Sequence, residues 1–222
     1  MSARRRPAAK RTFDLVLGGI LLAAASPLLV LLALAIRLDS PGPALFRQER
    51  LGLGGRPFTI IKFRTMRHGS THLGSGLETS RDDARITRVG RILRALRLDE
   101  LPQLLNVVRG EMSLVGPRPL LPQFLPYYSD LDRRRLEVPP GMTGWQQVHG
   151  AARNTWRERV ALDLWYVDHP SLALDLWILL RTVAVVVRAD TVYAEDGSQR
   201  SGLPDAYRAA QGDPAPEPEE RP

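Results

Sequence analysis

From Leu15 to Ile36 the chain carries no charged residue. As a straight helix this apolar run would reach about 33 Å, one hydrocarbon core. Beyond it the pattern shortens. Ala44–Gln48 and Phe58–Met66 read as strands, joined across a turn that holds Gly52, Gly54 and Gly55. No Walker lysine follows those glycines, so a hairpin turn fits them better than a phosphate loop. Residues 68–80 are rich in Gly, Ser and Thr and read as a loop. Thr87 can cap a helix whose apolar stripe is Val89, Ile92, Leu93 and Leu96. Pro102 suits the first turn of the next helix, which runs to about Arg109 and stops at Gly110. Gly116-Pro117-Arg118-Pro119 and Pro139-Pro140-Gly141-Met142-Thr143-Gly144-Trp145 are stiff turns. Two more helices are expected, over Trp156–Val167 and Leu172–Arg188. Asp175 and Arg181 argue against the latter crossing a bilayer. It reads as a core helix or as one lying in the membrane interface. From Gly202 the chain turns to Pro, Glu, Asp and Arg and is expected to be disordered. No internal repeat is visible.

The apolar run admits three readings: a straight span, a signal peptide and a re-entrant hairpin. Arg4, Arg5, Arg6, Lys10 and Arg11 resemble a signal n-region, and Ala23-Ala24-Ala25 a cleavage site. Yet the run continues well past Ser26, so cleavage would leave an apolar new terminus. A straight span puts its flanks on opposite sides, but the second flank is also basic: Arg37, Arg47, Arg50, Arg56, Lys62, Arg64 and Arg67. The positive-inside bias pulls both ends to the cytoplasm. Ser26-Pro27 lies mid-segment; Pro27 removes a helix hydrogen bond, and the Ser26 hydroxyl can serve the freed carbonyl. Charge and proline alone leave a kinked span and a re-entrant hairpin level.

At 222 residues with formal net charge +7, the chain fits one domain plus appendages and favours anionic partners. The absence of cysteine excludes disulfides and thiolate metal sites. The stretch that carries chemistry is Leu98-Asp99-Glu100-Leu101-Pro102-Gln103. Adjacent carboxylates can attack a phosphorus or hold a metal, although acidic residues before a Pro-led helix also serve as plain caps. Arg85, Arg88, Arg91, Arg94 and Arg97 recur every third residue just before them. That row reads either as a solvated face or as a basic wall; it is too polar for a voltage sensor.

These segments, in this order, resemble the bacterial monotopic phosphoglycosyl transferases (initiating sugar transferases). The resemblance spans roughly residues 11–190. It rests on Ser26-Pro27, Lys62-Phe63-Arg64-Thr65-Met66, Arg88-Val89-Gly90, Leu98 through Gln103, Asn106-Val107, Ser113 through Pro119, Pro140 through Trp145 and Asp163 through Tyr166. The chain is similar to the minimal diacetylbacillosamine-phosphate transferase type and is expected to lack the extra transmembrane bundle of larger members. The resemblance implies transfer of a sugar-1-phosphate from a UDP-sugar to polyprenyl (undecaprenyl) phosphate, with release of UMP, at the bacterial inner membrane. It implies a re-entrant helix with both ends cytoplasmic. Asp99 becomes the nucleophile of a covalent phosphosugar intermediate, and Glu100 a second catalytic group. Mg²⁺ is the implied cofactor, on Asp99 or Glu100. Lys62, Arg64, Arg94 and Arg118 are the candidate phosphate contacts. After Trp145 the family pattern Ala-Gln-Val-Asn-Gly-Arg-Asn is replaced by Gln146-Gln147-Val148-His149-Gly150-Ala151-Ala152-Arg153-Asn154, and Arg97 stands where a small polar residue is common.

The expected fold is mixed α/β and helix-rich. It comprises a basic N-terminus with a membrane hairpin (1–40), a cytosolic catalytic domain (41–202) with a small β-hairpin and interfacial amphipathic helices, and a disordered tail (203–222). Expected partners are the UDP-sugar, polyprenyl phosphate, the phospholipid bilayer and downstream glycosyltransferases. Two alternatives stand beside this reading. One is a silent membrane scaffold of the same fold. The other is a membrane-anchored nucleic-acid binder, against which stand the absence of a reader motif and the 6% aromatic content.

Overall fold

A computed structural model describes residues 7–70, 83–150, 154–188 and 204–210. Arg4–Arg6, most of the expected 68–80 loop, Ala151–Arg153 and most of the expected tail lie outside the described residues.

The apolar run forms one hydrogen-bonded helix, α1 (Ala8–Asp39), of 32 residues with Pro27 inside it. It continues through Ser26 and Pro27, where the sequence led us to expect a break between two helices. The reason is local. Pro27 cannot donate to the Ala23 carbonyl, and the Ser26 hydroxyl takes its place, donating to Ala23 O at 2.8 Å. Leu15, Val16, Ile20, Val30, Leu31, Leu34 and Leu38 stay exposed along this helix.

Both ends of α1 are tied to the rest of the molecule. The hairpin of β1 (Leu45–Leu51) and β2 (Pro57–Phe63) pairs antiparallel, with Leu45 opposite Phe63 and Arg50 opposite Phe58. Arg64 follows β2 and donates to the carbonyls of Ser40 (2.8 Å) and Pro41, and to the Ser40 hydroxyl (3.1 Å). It thereby serves the backbone just past the C-terminus of α1, where a cation also favours the helix dipole. At the other end, Arg11 donates to the carbonyls of Val107 and Val108, both at 2.7 Å. These belong to α3 (Leu104–Arg109), which Gly110 terminates at φ 90°, a conformation glycine adopts without strain. Asp14 is fully buried and accepts from the Ser113 hydroxyl (2.9 Å) and the Leu114 N–H (3.0 Å).

Ser113 opens β3 (Ser113–Val115), which runs parallel to β4 (Gly141–Thr143). This second sheet was not predicted; its strands are three residues each, too short for an alternation signal. The two stiff turns that flank them supply the pairing: Gly116 N–H donates to Thr143 O, and Gly141 N–H to Pro117 O, both at 2.9 Å. Around the sheets lie α2 (Arg88–Ala95), α4 (Asp130–Arg133), α5 (Trp145–Val148), α6 (Trp156–Asp168) and α7 (Leu172–Arg188). The Thr87 hydroxyl caps α2 at Gly90 N–H (3.0 Å), as its position predicts. Gly90 itself is packed against the Thr65 carbonyl, where a Cβ would have no room. The tail expected to be disordered contains a helix, α8 (Asp205–Ala210), whose Tyr207 meets Phe124 and Tyr127 edge-on.

One core cluster joins Ile60, Leu104, Val107, Met112, Leu114, Val115, Tyr166 and Ile178, tying the hairpin, α3, β3, α6 and α7 together. Tyr166 donates to Asp175 at 2.7 Å, and Asp175 accepts Lys10 of α1 at 2.6 Å. The opposite face of α7 leaves Leu172, Leu176, Trp177, Leu180 and Val183 exposed. Beside it, Trp145 stacks on Trp165 with ring centres 4.2 Å apart and lies 5.5 Å from Trp177. His149 packs 3.9 Å from Trp145, and His169 stacks on Trp165.

Candidate active site

The site is built where β2 meets the turn that follows α2. Helix α2 ends at Ala95 with Leu96 as its cap, and Arg97 takes a left-handed conformation at φ 54°. Among the described residues it is the one non-glycine with positive φ, a conformation that costs about 1 kcal/mol or more in an L-residue. The chain then winds into a 3-10 turn, Leu98–Gln103. A period of three puts Leu98, Leu101 and Leu104 on one side. Leu98 joins the cluster of Ile36, Phe63 and Leu93, and Leu104 the main core. Asp99 and Glu100 are left on the other side, only partly buried. Pro102 lies inside this turn, and α3 starts at Leu104. The helix start expected at Pro102 therefore falls two residues late, and the acidic pair lies in the first turn of the 3-10 segment.

Asn106 locks this turn to the hairpin. It is fully buried, accepts from Ile61 N–H (3.1 Å), and donates to Thr59 O (2.8 Å) and to Glu111 (2.7 Å). The register that results brings Lys62 Nζ to 2.9 Å from Glu100 Oε1. From the other side Arg118 Nη2 donates to the same oxygen at 2.6 Å, while Nη1 lies 3.4 Å from Oε2. Two cations thus converge on one carboxylate. The Arg118 loop is held by the sheet contacts of Gly116 and Pro117. It is also held by Arg135, which reaches the Arg118 carbonyl at 3.4 Å and pairs with buried Asp163 at 2.6 Å.

The two carboxylates therefore differ. Burial pushes Glu100 upward, but Arg118 and Lys62 outweigh it and hold the group well below the usual carboxylate range. Burial and the neighbouring Glu100 charge push Asp99 up to about 6, against the pull of Lys62, Arg94 and Arg118. Among the described residues, no hydrogen bond or ion pair engages the Asp99 carboxylate. It is ionised at neutral pH, half-buried and uncommitted, as a nucleophile facing a phosphate must be.

Of the predicted contacts, Lys62, Arg94 and Arg118 surround the pair. Arg94 donates from Nε to the Thr65 hydroxyl at 3.1 Å, and its buried Nη1 has no hydrogen-bond partner among the described residues. Arg64 lies apart from the pair: its guanidinium donates to Pro41 and Ser40 and anchors the end of α1. Of the basic row, Arg85 pairs with Asp83 at 2.6 Å, and Arg88 and Arg91 are exposed. Sequence reasoning missed Arg50. Burial and the nearby Arg118 lower its pKa to about 10. It donates to Gln48 at 2.6 Å and reaches the Pro119 carbonyl at 3.4 Å. Its place beside Arg118 depends on the pairing of β1 with β2, which no local motif encodes.

Among the described residues, no group of three or more His, Cys, Asp or Glu side chains is placed to hold a metal. A hard cation that keeps several waters and binds one carboxylate together with substrate phosphates still fits, which is the usual habit of Mg²⁺. Asp99 suits that role. Glu100, already between two cations, would have to leave them to join it.

The sequence profile of the family described as Bacterial sugar transferase matches residues 5–189. A relative in Bacillus subtilis, named an uncharacterized sugar transferase EpsL, is 45% identical over 82% of this chain and 89% of its own length. The UDP-glucose:undecaprenyl-phosphate glucose-1-phosphate transferase of Caulobacter vibrioides is 50% identical over 83% of this chain and 72% of its own. The UDP-N-acetylgalactosamine-undecaprenyl-phosphate N-acetylgalactosaminephosphotransferase of Aeromonas hydrophila is 41% identical over 80% of this chain and 43% of its own.

Proposed function

Since the chain belongs to the bacterial sugar transferase family and is a phosphoglycosyl transferase by that kinship, we propose that it passes a sugar-1-phosphate from a UDP-sugar to polyprenyl phosphate at the inner membrane, through Asp99. The observation that carries this reading is the pairing of an uncommitted, ionised Asp99 with a Glu100 neutralised by Lys62 and Arg118.

The chemistry follows from that contrast. An Asp99 oxygen attacks the β-phosphorus of the donor, and the bond from that phosphorus to the bridging oxygen breaks. UMP leaves with the bonding pair, and the sugar phosphate remains on Asp99 as an acyl phosphate. A phosphate oxygen of the lipid acceptor then attacks the same phosphorus, the bond to Asp99 breaks, and the carboxylate is restored. Two displacements replace one difficult encounter between dianions. Arg118, Arg94 and Lys62 stand where the donor phosphates would lie, and guanidinium forks match phosphate oxygens. Mg²⁺ held by Asp99 and the donor phosphates would neutralise charge on the diphosphate. Glu100 keeps Lys62 and Arg118 in place; whether it also steers the acceptor is a further part of the proposal.

The membrane reading extends this. A helix anchored to one body at Arg11 and Asp14 and again next to Arg64 favours both ends on one side of the bilayer. The basic flanks favour the cytoplasmic side. That arrangement is the re-entrant one, with the exposed apolar face of α1 in lipid.

Relatives at 50% and 41% identity name glucose and N-acetylgalactosamine, so the donor panel spans both sugars. The test is UMP release from a panel of UDP-sugars with Mg²⁺ and undecaprenyl phosphate, in wild type and Asp99→Asn. Release by wild type only, with a sugar-phosphate mass adduct on the Asp99 peptide when the acceptor is omitted, supports the scheme. Equal release by both proteins overturns it.

A further inference from the structure

A cavity of about 460 Å³ lies between α1, α7 and the catalytic turn, within the range of sites that take small molecules. One wall is α1, through Leu21, Ala24 and Ala25; the facing wall is α7, through Leu179, Val185 and Val186. These are the two helices that expose the long apolar faces described above. The cavity is therefore apolar and borders the surface assigned to lipid. Two charged residues line it, Arg97 and Glu100, and both belong to the segment that carries Asp99. Glu100 is already balanced by Lys62 and Arg118. The cavity thus has a charged mouth, with Arg97 beside Glu100, and a hydrocarbon interior.

A second observation points to an occupant. Gln147 lines the same cavity and is only 6% exposed, yet among the described residues neither its amide nitrogen nor its amide oxygen has a hydrogen-bond partner. A buried polar group left unmatched is costly and marks a place where something else binds.

We propose that this cavity seats the phosphate-proximal part of the polyprenyl phosphate acceptor. The Arg97 guanidinium takes the acceptor phosphate, Gln147 meets its polar end, and the first isoprene units lie against Ala24, Ala25, Val185 and Val186. This rests on the acceptor proposed above and adds the residues that recognise it. It assigns the donor and acceptor phosphates to different cations: Arg118, Arg94 and Lys62 for the donor, Arg97 for the acceptor. It also gives a use to the left-handed backbone at Arg97. That conformation turns the chain out of α2, so the side chain emerges beside the cavity and not along the α2 helix face.

Arg97→Gly is a clean probe, because glycine adopts positive φ without strain and the fold should tolerate it. Arg97→Lys restores charge, and Ala25→Phe fills the cavity without touching a charge. Each variant is assayed with the UDP-sugar that turns over in wild type. The kinetic constants for donor and for undecaprenyl phosphate are measured separately, along with donor-only adduct formation on Asp99. The expected result is a rise of about tenfold or more in acceptor KM for Arg97→Gly and Ala25→Phe, donor KM within about twofold, adduct formation unchanged, and partial recovery in Arg97→Lys. Acceptor KM unmoved in both Arg97→Gly and Ala25→Phe overturns the inference, as does a parallel rise for donor and acceptor. A wild type that forms the Asp99 adduct but no lipid-linked product with undecaprenyl phosphate overturns the acceptor reading itself, and is told apart by that outcome.

Discussion

At the scale of single residues, the site works by giving two adjacent carboxylates opposite electrostatics. Their raised and lowered pKa values lead to opposite stability effects. Asp99 is raised to about 6 when folded, above its unfolded value, so its contribution to stability is present at low pH and is lost as pH rises through 6. Ionised Asp99 therefore strains the fold at neutral pH. Asp99→Asn is expected to abolish turnover and yet raise the melting temperature at pH 8, by the equivalent of about 1 kcal/mol after allowing for its partial exposure. Calorimetry beside the UMP assay checks both. If Asp99 is the nucleophile, as proposed, kcat/KM should fall as pH drops through about 6, because its attacking oxygen must be unprotonated. A profile flat to pH 5 would remove Asp99 as the group that titrates. Glu100 is lowered instead, so its contribution is present above the unfolded pKa and lost as acid protonates it. Glu100→Gln should destabilise by about 1–3 kcal/mol, since it strips Lys62 and Arg118 of their shared anion. Much of this site was legible in the sequence: Asp99, Glu100, Lys62, Arg94 and Arg118 do converge. Arg64 is taken up by the backbone just past the end of α1, and the strand pairing that puts it there is non-local. Arg50 carries no motif of its own and comes to notice only through what it faces, and Gln147, in the segment after Trp145, only through the bonds its amide lacks among the described residues.

At the scale of elements, the hairpin, α2, α6 and α7 fall where periodicity and caps place them, because each signal is local. The Thr87 cap and Gly110 stop are examples: one hydroxyl and one missing Cβ each decide a terminus. The β3–β4 pair escaped notice because two three-residue strands leave no alternation to read. The α8 helix was hidden by its acidic, proline-containing surroundings; Tyr207 supplies the contact with Phe124 that composition does not reveal. Asn106 is the residue that joins these elements, and Asn106→Ala should destabilise by about 1–3 kcal/mol, since it leaves the buried Ile61 N–H without its acceptor and removes the bonds to the Thr59 carbonyl and Glu111. Denaturant titration checks the magnitude, and turnover lost beyond the unfolded fraction would show that the same link positions Glu100 against Lys62. In α1, Ser26→Ala removes the hydroxyl that serves the Ala23 carbonyl. We expect Ser26→Thr to keep function and Ser26→Ala to reduce vesicle-bound activity.

At the scale of the whole molecule, the decisive feature is that α1 is fastened at both ends. The topology this implies can be read cleanly, because the chain has no cysteine of its own. Ala8→Cys and Leu38→Cys, made singly, should both resist a membrane-impermeant maleimide in intact cells and both react after lysis. Labelling of one from outside would make α1 an ordinary span. Charge alone left those two paths level; what favours one is the set of long-range bonds from Arg11, Asp14 and Arg64, none of which a hydropathy pattern records. The aromatic stack beside α7 has a spectroscopic consequence. Three of the four tryptophans meet at one place, Trp145, Trp165 and Trp177, while Trp156 lies apart and buried. With two indoles 4.2 Å apart, their transitions should couple into a paired positive and negative band in the near-ultraviolet circular dichroism. The amplitude of that couplet would report, without any label, whether α5 and α6 remain docked as the enzyme passes from detergent to a lipid bilayer.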